Sequence, residues 1–461
     1  MSARGIPVLI ILAFSFAIAS AADRYVAQAG QTPAGGYISW DTAATNIQEA
    51  LSAAAVDETV WISNGTYTVG LSNQIVYINK GLKLRGFSGN RDDVILEGPA
   101  RTDPSKSIRG IRVNSTTSDY ILVDSITISN CTSSDAISPY GAGIYINQGS
   151  VAYPGTTEVR NCLIVNGTNT TSSRGGGSIY SGQAAGSPYY VMLTNCMIAN
   201  NWSSNRNFAG GWLVNGRASV DNCIFAGNGI TPNTDRGYGF GMGASGTVRN
   251  CRFENHSQGG ATWGMAISLG KDVLMENCVV ISNRGANSGG IYAESVTNVT
   301  IRNCLVSHNR ASSGNGGGGY IWNASVNFEN CTIVSNAPAL AVRQTSAATT
   351  GICVFVNNII CSNTINFSSF SIPVRATNNC CSTDLGAYGP GNITASPRFV
   401  NFGERDLGLS SDSPCINQGY NLPWMDGNND LDGRTRKDIF SGVVDMGCYE
   451  HLLRGVVFRL H

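Results

Sequence analysis

The chain has 461 residues, no net formal charge, and only 13% charged side chains against 55 glycines. That balance carries neither the basic footprint of a nucleic-acid binder nor an acidic tail. Regularly placed apolar residues exclude general disorder, and a repeat makes chain length a poor guide to domain number.

Residues 1–21 combine Arg4, an apolar run over 6–18, and the small residues Ala19, Ser20 and Ala21. This is the three-part pattern of a secretory signal peptide, with cleavage expected after Ala21. The run is short for a membrane anchor, and no later stretch is apolar enough to give a transmembrane segment in the mature chain. The expected location is secreted, extracellular or cell-surface. Asp41 is the expected N-cap of a short helix with Ile47, Leu51 and Ala54 on one face and Gln48 and Glu49 on the other. Such a helix would cover the open end of a stack of strands. Runs of β type follow at 59–63, 75–78, 82–84 and 94–96, most of them closed by Gly or Asn.

From residue 128 a phrase recurs: apolar, polar, Asn, Cys. Its cysteines are Cys131, Cys162, Cys196, Cys223, Cys251, Cys278, Cys304 and Cys331, separated by 31, 34, 27, 28, 27, 26 and 27 residues. Fixed periods in this range mark a solenoid. Three positions before each Cys stands an apolar residue (Ile128 through Phe328), and two positions before it a polar one. Two positions after it the residue is again apolar, Ser133 excepted. Alternation, an Asn corner and further alternation account for these columns. A second Asn column lies five positions after the Cys, at Asn201, Asn228, Asn283, Asn309 and Asn336, interrupted by His256. Asp221, Arg249, Glu276, Arg302 and Glu329 alternate in sign from one repeat to the next and are expected to form a solvated, register-fixing ladder. Loops of variable length follow, at 132–142, 168–178, 203–209, 229–237, 257–262, 285–288 and 311–318. Such loops on one edge of a solenoid are where binding surfaces are built. About 11–13 coils at about 4.8 Å each give a rod of roughly 55–60 Å.

Trp40, Ala43-Ala44, Ile47-Gln48, Val60-Trp61-Ile62, Gly65-Thr66-Tyr67 and Leu82-Lys83-Leu84-Arg85-Gly86 resemble the opening of pectin-lyase-like proteins, and the repeats over 108–381 resemble their body. The resemblance implies an all-β, single-chain right-handed parallel β-helix with an N-terminal helical cap. That superfamily includes lyases, hydrolases, epimerases, esterases and adhesins, so the resemblance implies fold and not one activity. Further on, Ala395-Ser396-Pro397, Ser413-Pro414-Cys415, Asp430-Leu431-Asp432-Gly433-Arg434 and Val444-Asp445-Met446-Gly447-Cys448-Tyr449-Glu450 resemble the C-terminal part of choice-of-anchor Q proteins, exported bacterial β-helix proteins. The usual sorting tail is missing after Glu450. The expected division is a signal peptide over 1–21, the β-helix with its cap over 22–381, and a non-repetitive C-terminal capping region over 382–461.

Stacked cysteines on neighbouring strands have Cβ atoms about 4.8 Å apart, whereas a disulfide needs about 3.8 Å. The column is therefore expected to be free thiols packed as small apolar groups. Cys415 and Cys448 stand outside it, and a disulfide between them or two free thiols are both open.

Candidate chemistry is sparse. Asp426, Asn428, Asp430 and Asp432 offer oxygen at every second position, suited either to Ca²⁺ or to a polar turn paired with Arg434 and Arg436; the spacing is not that of an EF-hand. Asn233-Thr234-Asp235 matches one piece of the polygalacturonase signature without the rest. A lyase needs a base for the proton beside a uronate carboxyl and cations to neutralise that carboxylate. Arg284 and Arg310, both six positions after a column Cys, are the first candidates for base and anion holder, with Arg236, Lys271 and His308 as others. Tyr145, Tyr292 and Trp322 follow Gly runs; pointing outward they would stack against sugar rings and pointing inward they are ordinary core, with Tyr145 and Tyr292 the ones that alternation after Ile144 and Ile291 would expose. The expected partner is an acidic polysaccharide or cell-surface glycan, bound or cleaved by β-elimination. The competing reading is a non-catalytic adhesin or structural protein of the cell surface.

Overall fold

The computed structural model describes residues 22–68, 73–99, 107–114, 119–134, 140–147, 154–170, 176–182, 187–203, 212–214, 216–230, 236–243, 245–258, 263–313, 315–343, 351–370 and 373–451. Short alternating runs closed by Asn or Gly become strands that pair in parallel with their equivalents one coil away. They build sheets of 13, 12 and 11 strands and a fourth of seven. One coil passes through the 13-stranded sheet at Thr156–Arg160 and the 12-stranded sheet at Leu163–Val165. It continues through the seven-stranded sheet at Thr168–Asn169 and the 11-stranded sheet at Ile179–Gly182. The architecture is a parallel β-helix. Inward residues of the three long sheets, among them Val159, Ile164 and Ile179, join one continuous buried cluster. Each such side chain contributes about 1.5–3 kcal/mol relative to leaving it exposed.

Asparagine makes both corners. At the first, Asn161, Asn195, Asn222, Asn250, Asn277, Asn303 and Asn330 all have φ between 49° and 60°, a left-handed conformation that Asn tolerates well. Their amides chain along the rod: Asn195 Nδ2 donates to Asn161 Oδ1 at 3.0 Å and Asn277 Nδ2 to Asn250 Oδ1 at 3.3 Å. At the second corner the buried amides of Asn201, Asn228, Asn283, Asn309 and Asn336 accept backbone N–H groups from the rung before, as in Asn283 N to Asn309 Oδ1 at 3.0 Å. His256 replaces one member of this ladder, its Nδ1 accepting Asn228 N–H at 3.1 Å.

The register corrects one reading of the repeat. Arg160 pairs with Asp124 and Ile164 with Ile128, so the column position of Cys162 is taken one coil earlier by Ile126. Thr168 pairs with Thr132, which puts Cys131 at the second corner rather than in the cysteine column. The first Asn-Cys phrase is thus displaced by five residues, and Ser133 was an exception because it was counted from the wrong residue. Beyond Cys331 the column continues as Asn358 and Asn379, with Cys331 N–H donating to Asn358 Oδ1 at 2.8 Å. All 14 cysteines are buried and none is in a disulfide, including Cys415 and Cys448.

The helix Ile47–Ala53 is capped by Asn46, whose Oδ1 accepts Gln48 N–H at 2.8 Å; Asp41 lies instead in the preceding 3₁₀ turn Trp40–Thr42. Gln48 closes the edge of the 11-stranded sheet, accepting Tyr77 N–H at 2.8 Å and donating to Tyr77 O at 3.1 Å. The charge ladder forms, exposed at Arg249 and covered at Glu276 and Arg302. Glu276 sits between Arg249 at 3.1 Å and Arg302 at 2.6 Å, and Arg302 is covered by the ring of Trp424, 4.6 Å from its centroid. That Trp belongs to the C-terminal segment, which lies along the outer face of the 12-stranded sheet and packs Leu407, Leu409, Met446 and Cys448 against Leu305, Val334 and Ile359. Among the described residues no helix is long and apolar enough to cross a membrane.

Candidate ligand-binding stripe

From its second strand on, the seven-stranded sheet stacks one outward position per rung: Thr168, Trp202, Gly229, which has no side chain, Ser257, Arg284 and Arg310 in successive register. Its strands are only two residues long because a left-handed corner precedes them and variable loops follow. Behind them the buried Asn ladder fixes the backbone, with Arg284 N–H bonded to His256 O and Arg310 N–H to Asn283 O, both at 2.9 Å. The stripe therefore rests on a rigid support.

Arg284 and Arg310 are both exposed and pair directly across adjacent strands. Neither guanidinium has an acidic partner among the described residues, whereas Arg160 of the 13-stranded sheet has Asp124 at 2.9 Å. Two like charges about one rung apart repel by roughly 1 kcal/mol in water. A carboxylate or sulfate between them would reverse the sign of that interaction. His308 stands two residues before Arg310 at the corner, its pKa lowered by burial first and then by Arg405, which adds another cation to this end. At the far end the Trp202 ring lies over Gly229, where an added Cβ would meet it at 2.7 Å. Glycine is needed there for the ring to fit, and the ring is half-buried. From Trp202 to Arg284 is three rungs, about 14 Å. Such an arrangement can stack one sugar ring and hold acidic groups further along the same chain.

The other expected residues lie elsewhere. Lys271 is exposed in a turn between the 11- and 13-stranded sheets, apart from the arginines. Arg236 begins the strand Arg236–Met242 of the 11-stranded sheet, and its side chain, like residues 233–235, lies outside the described residues. Tyr145 and Tyr292 do point away from the inner core, but the expectation that they are exposed is wrong: they are 7% and 2% accessible. Neighbouring rungs bury them, Tyr145 against Tyr140 and Tyr180, and Tyr292 against Tyr320. Trp322 is half-buried and stacked on Tyr320 with centroids 6.2 Å apart. Asp426, Asp430 and Asp432 have separate partners. Asp426 pairs with Lys437 and Asp432 with Arg434, while buried Asp430 accepts N–H groups from Asp432, Arg434 and Glu450 at 2.7–3.0 Å. Among the described residues no group of three or more His, Cys, Asp or Glu that could hold a metal is formed, and the partners of these three aspartates are those of a polar turn. Trp202, Ser257 and Arg405 were missed. Trp202 and Ser257 stand six positions after a column Cys, as the two arginines do, so the same count finds them; nothing in the sequence points to Arg405.

The family model described as "Right handed beta helix region" matches residues 109–360. Among solved structures, pectate lyase Pel9A is similar at 14% identity over 93% of this chain and 97% of its own, with a TM-score of 0.43. The A-module of Azotobacter vinelandii mannuronan C-5 epimerase AlgE6 shares 14% identity over 76% of this chain and 95% of its own, with a TM-score of 0.48. A rhamnogalacturonan lyase shares 10% identity over 94% of this chain and 97% of its own, with a TM-score of 0.40. No curated protein matches the chain.

Proposed function

The chain belongs to the right-handed β-helix family, and on that premise we propose that it binds acidic polysaccharide outside the cell. The observation that carries this reading is the Arg284–Arg310 pair, in register, exposed and without an acidic partner among the described residues. A solenoid supports it physically, since a stripe of equivalent positions about 4.8 Å apart suits a polymer of repeating anionic units. Trp202 supplies the stacking surface and Ser257 a hydroxyl between ring and cations. Export through the signal-like residues 1–21 would bring the protein to its glycan, with residues 382–461 as a non-repetitive cap to the solenoid.

A second reading, β-elimination, is favoured by His308. Its pKa, lowered by burial and by Arg405, keeps the imidazole neutral at a corner two residues before Arg310, and a neutral imidazole can accept a proton. In that reading Arg284 and Arg310 hold the uronate carboxylate while His308 takes the adjacent C–H proton, the C–H electron pair forms the new C=C bond, and the leaving oxygen departs. One experiment addresses both. The mature chain and an Arg284→Ala/Arg310→Ala variant are titrated with polygalacturonate, alginate, a sulfated glycosaminoglycan and a neutral glucan, with absorbance of unsaturated uronate followed throughout. Binding of an acidic polymer that weakens at least about tenfold in the variant is expected. Equal binding by the variant, or binding of the neutral glucan alone, would sink the proposal. Absorbance that grows with wild type and not with the variant would establish the lyase.

A further inference from the structure

The outer face of the 12-stranded sheet is apolar along much of its length, and the chain itself shows what that face accepts. In its lower half, Leu305, Val334 and Ile359 are covered by the C-terminal segment. At the corner beside them the Asn ladder reads that segment's backbone. Asn303 Nδ2 donates to Asn429 O at 3.0 Å, Asn330 Nδ2 to Asp445 O at 3.0 Å, and Asn357 Nδ2 to Tyr420 O at 2.8 Å. Asn357 Oδ1 also takes Tyr420 N–H at 2.6 Å, a two-way amide–peptide pair. In Asn303 and Asn357 one amide hydrogen serves the ladder and the other a peptide: Asn303 also bonds Asn277 Oδ1 at 2.6 Å and Asn357 also bonds Asn330 Oδ1 at 2.9 Å.

The same two columns continue upward without a cover among the described residues. Leu163, Met197 and Ile224 occupy the register positions of Leu305 and Ile359. Ile224 is 40% accessible and its two neighbours are half-exposed. Beside them Asn195 and Asn222 are exposed, each with its Nδ2 engaged by the ladder through one bond. Together with Arg91 and Asn161 these residues line a cleft of about 390 Å³. Arg91 closes its upper end, reaching Cys162 O at 3.4 Å. Below, Arg252 interrupts the apolar column and pairs with Glu254 at 2.6 Å, separating this half from the covered one.

We propose that this upper half is a docking surface for the backbone of a partner polypeptide, read as the backbone at Tyr420, Asn429 and Asp445 is read below. The apolar column would take alternate side chains, and the second amide hydrogens of Asn195 and Asn222 would take the backbone carbonyls between them. The choice of a polypeptide follows from continuity with an interface of the same residue types in the same register, in which backbone is the group recognised. The surface is on a different sheet from Arg284 and Arg310, so it stands apart from the glycan stripe.

The test is selection of short linear peptides from a displayed library on the full chain, followed by affinity measurement of the enriched peptides. Expected are peptides that bind Ile224→Asp and Met197→Asp at least about tenfold more weakly and bind Arg284→Ala/Arg310→Ala unchanged. Both apolar side chains point outward, so unaltered melting of the variants verifies that folding is intact. Failure to enrich any peptide, or equal binding to both variants, would overturn the proposal. Displacement of the peptides by uronate oligosaccharides would assign the surface to sugar instead. A dimer that Ile224→Asp dissociates would assign it to a second copy of the chain.

Discussion

The guanidinium of Arg436 lies 3.3 Å from a carboxylate oxygen of Glu450, and both side chains are sealed from solvent at 0% and 2% accessibility. The same guanidinium donates to Gly447 O at 2.5 Å and to Asn303 Oδ1 at 3.4 Å. One arginine thereby ties two stretches of the C-terminal segment to a corner of the solenoid. Removing the guanidinium leaves these buried acceptors without a donor, at about 1–3 kcal/mol each. Arg436→Met is therefore expected to release the C-terminal segment. Limited proteolysis should cut within residues 394–451 well before the repeats, and a loss of stability under about 1 kcal/mol would contradict this role.

Glu450 also predicts a pH dependence. Burial pushes its carboxyl up to about 8, with Asp445 and Asp430 adding to the shift against the pull of Arg436. A folded-state pKa above the unfolded one means that the folded form holds a proton the unfolded chain releases. The contribution is full below about pH 4.5 and is lost as pH rises through about 8, with a slope of at most about 1.4 kcal/mol per pH unit. Glu450→Gln keeps the shape and removes the titration. Melting temperatures of the variant should vary less between pH 5 and pH 8 than those of the wild type, and parallel curves would count against the assignment.

His256 acts in the opposite direction. It stands in a ladder otherwise made of buried asparagines, and its Nε2 is buried without a hydrogen-bond partner. Burial lowers its pKa to about 4. The unfolded chain takes up a proton that the folded one refuses, so stability is full above about pH 6.5 and is lost as pH falls toward 4. His256→Asn restores the ladder amide in place of a ring that already presses on Gly239, where a Cβ would meet it at 2.5 Å. The variant should gain about 1 kcal/mol at neutral pH and more at pH 4, read from urea unfolding. A less stable variant would show that the ring fills space an amide cannot.

Most of the fold was legible because the columns are periodic and each has one physical role. Left-handed Asn, inward apolar residue and stacked thiol recur at fixed offsets, and Val159, Asn161 and Cys162 occupy the places their pattern implies. Cys131 was misplaced because the same four-residue phrase fits either Asn corner. Only cross-strand pairing, here Arg160 with Asp124, distinguishes the two. Tyr145 and Tyr292 show a similar limit: alternation gives the direction of a side chain, while its accessibility depends on neighbours such as Tyr140 that are distant in sequence. In the stripe, counting from the Cys found Arg284 and Arg310, but their lack of acidic partners is a property of the packed surface.

The thiols offer a separate check. All 14 are buried, and burial pushes those of Cys131 and Cys353 up to about 12. Every thiol is closed to solvent, so the folded protein should scarcely react with an aromatic disulfide reagent at pH 8. In denaturant the full complement should react. Rapid labelling of a column cysteine in the folded state would refute the stacked arrangement, and a shortfall in denaturant would reveal a disulfide.

Arg284 and Arg310 should separate stability from function. Like charges on directly opposed strand positions destabilise a sheet by about 0.2–1 kcal/mol, and no acid among the described residues relieves this pair. Arg284→Ala should therefore melt at the same or a slightly higher temperature than wild type in low salt, with the difference fading as salt screens the repulsion. Its affinity for an acidic polymer should move the other way, falling about tenfold or more, and its dependence on salt should be shallower because one ion contact has gone. Glu254→Gln, on the neighbouring 12-stranded sheet, removes a charge that pairs with Arg252 and should leave polymer affinity unchanged. If Arg284→Ala lowers stability and leaves affinity intact, the arginines are part of the scaffold and the stripe binds nothing through them.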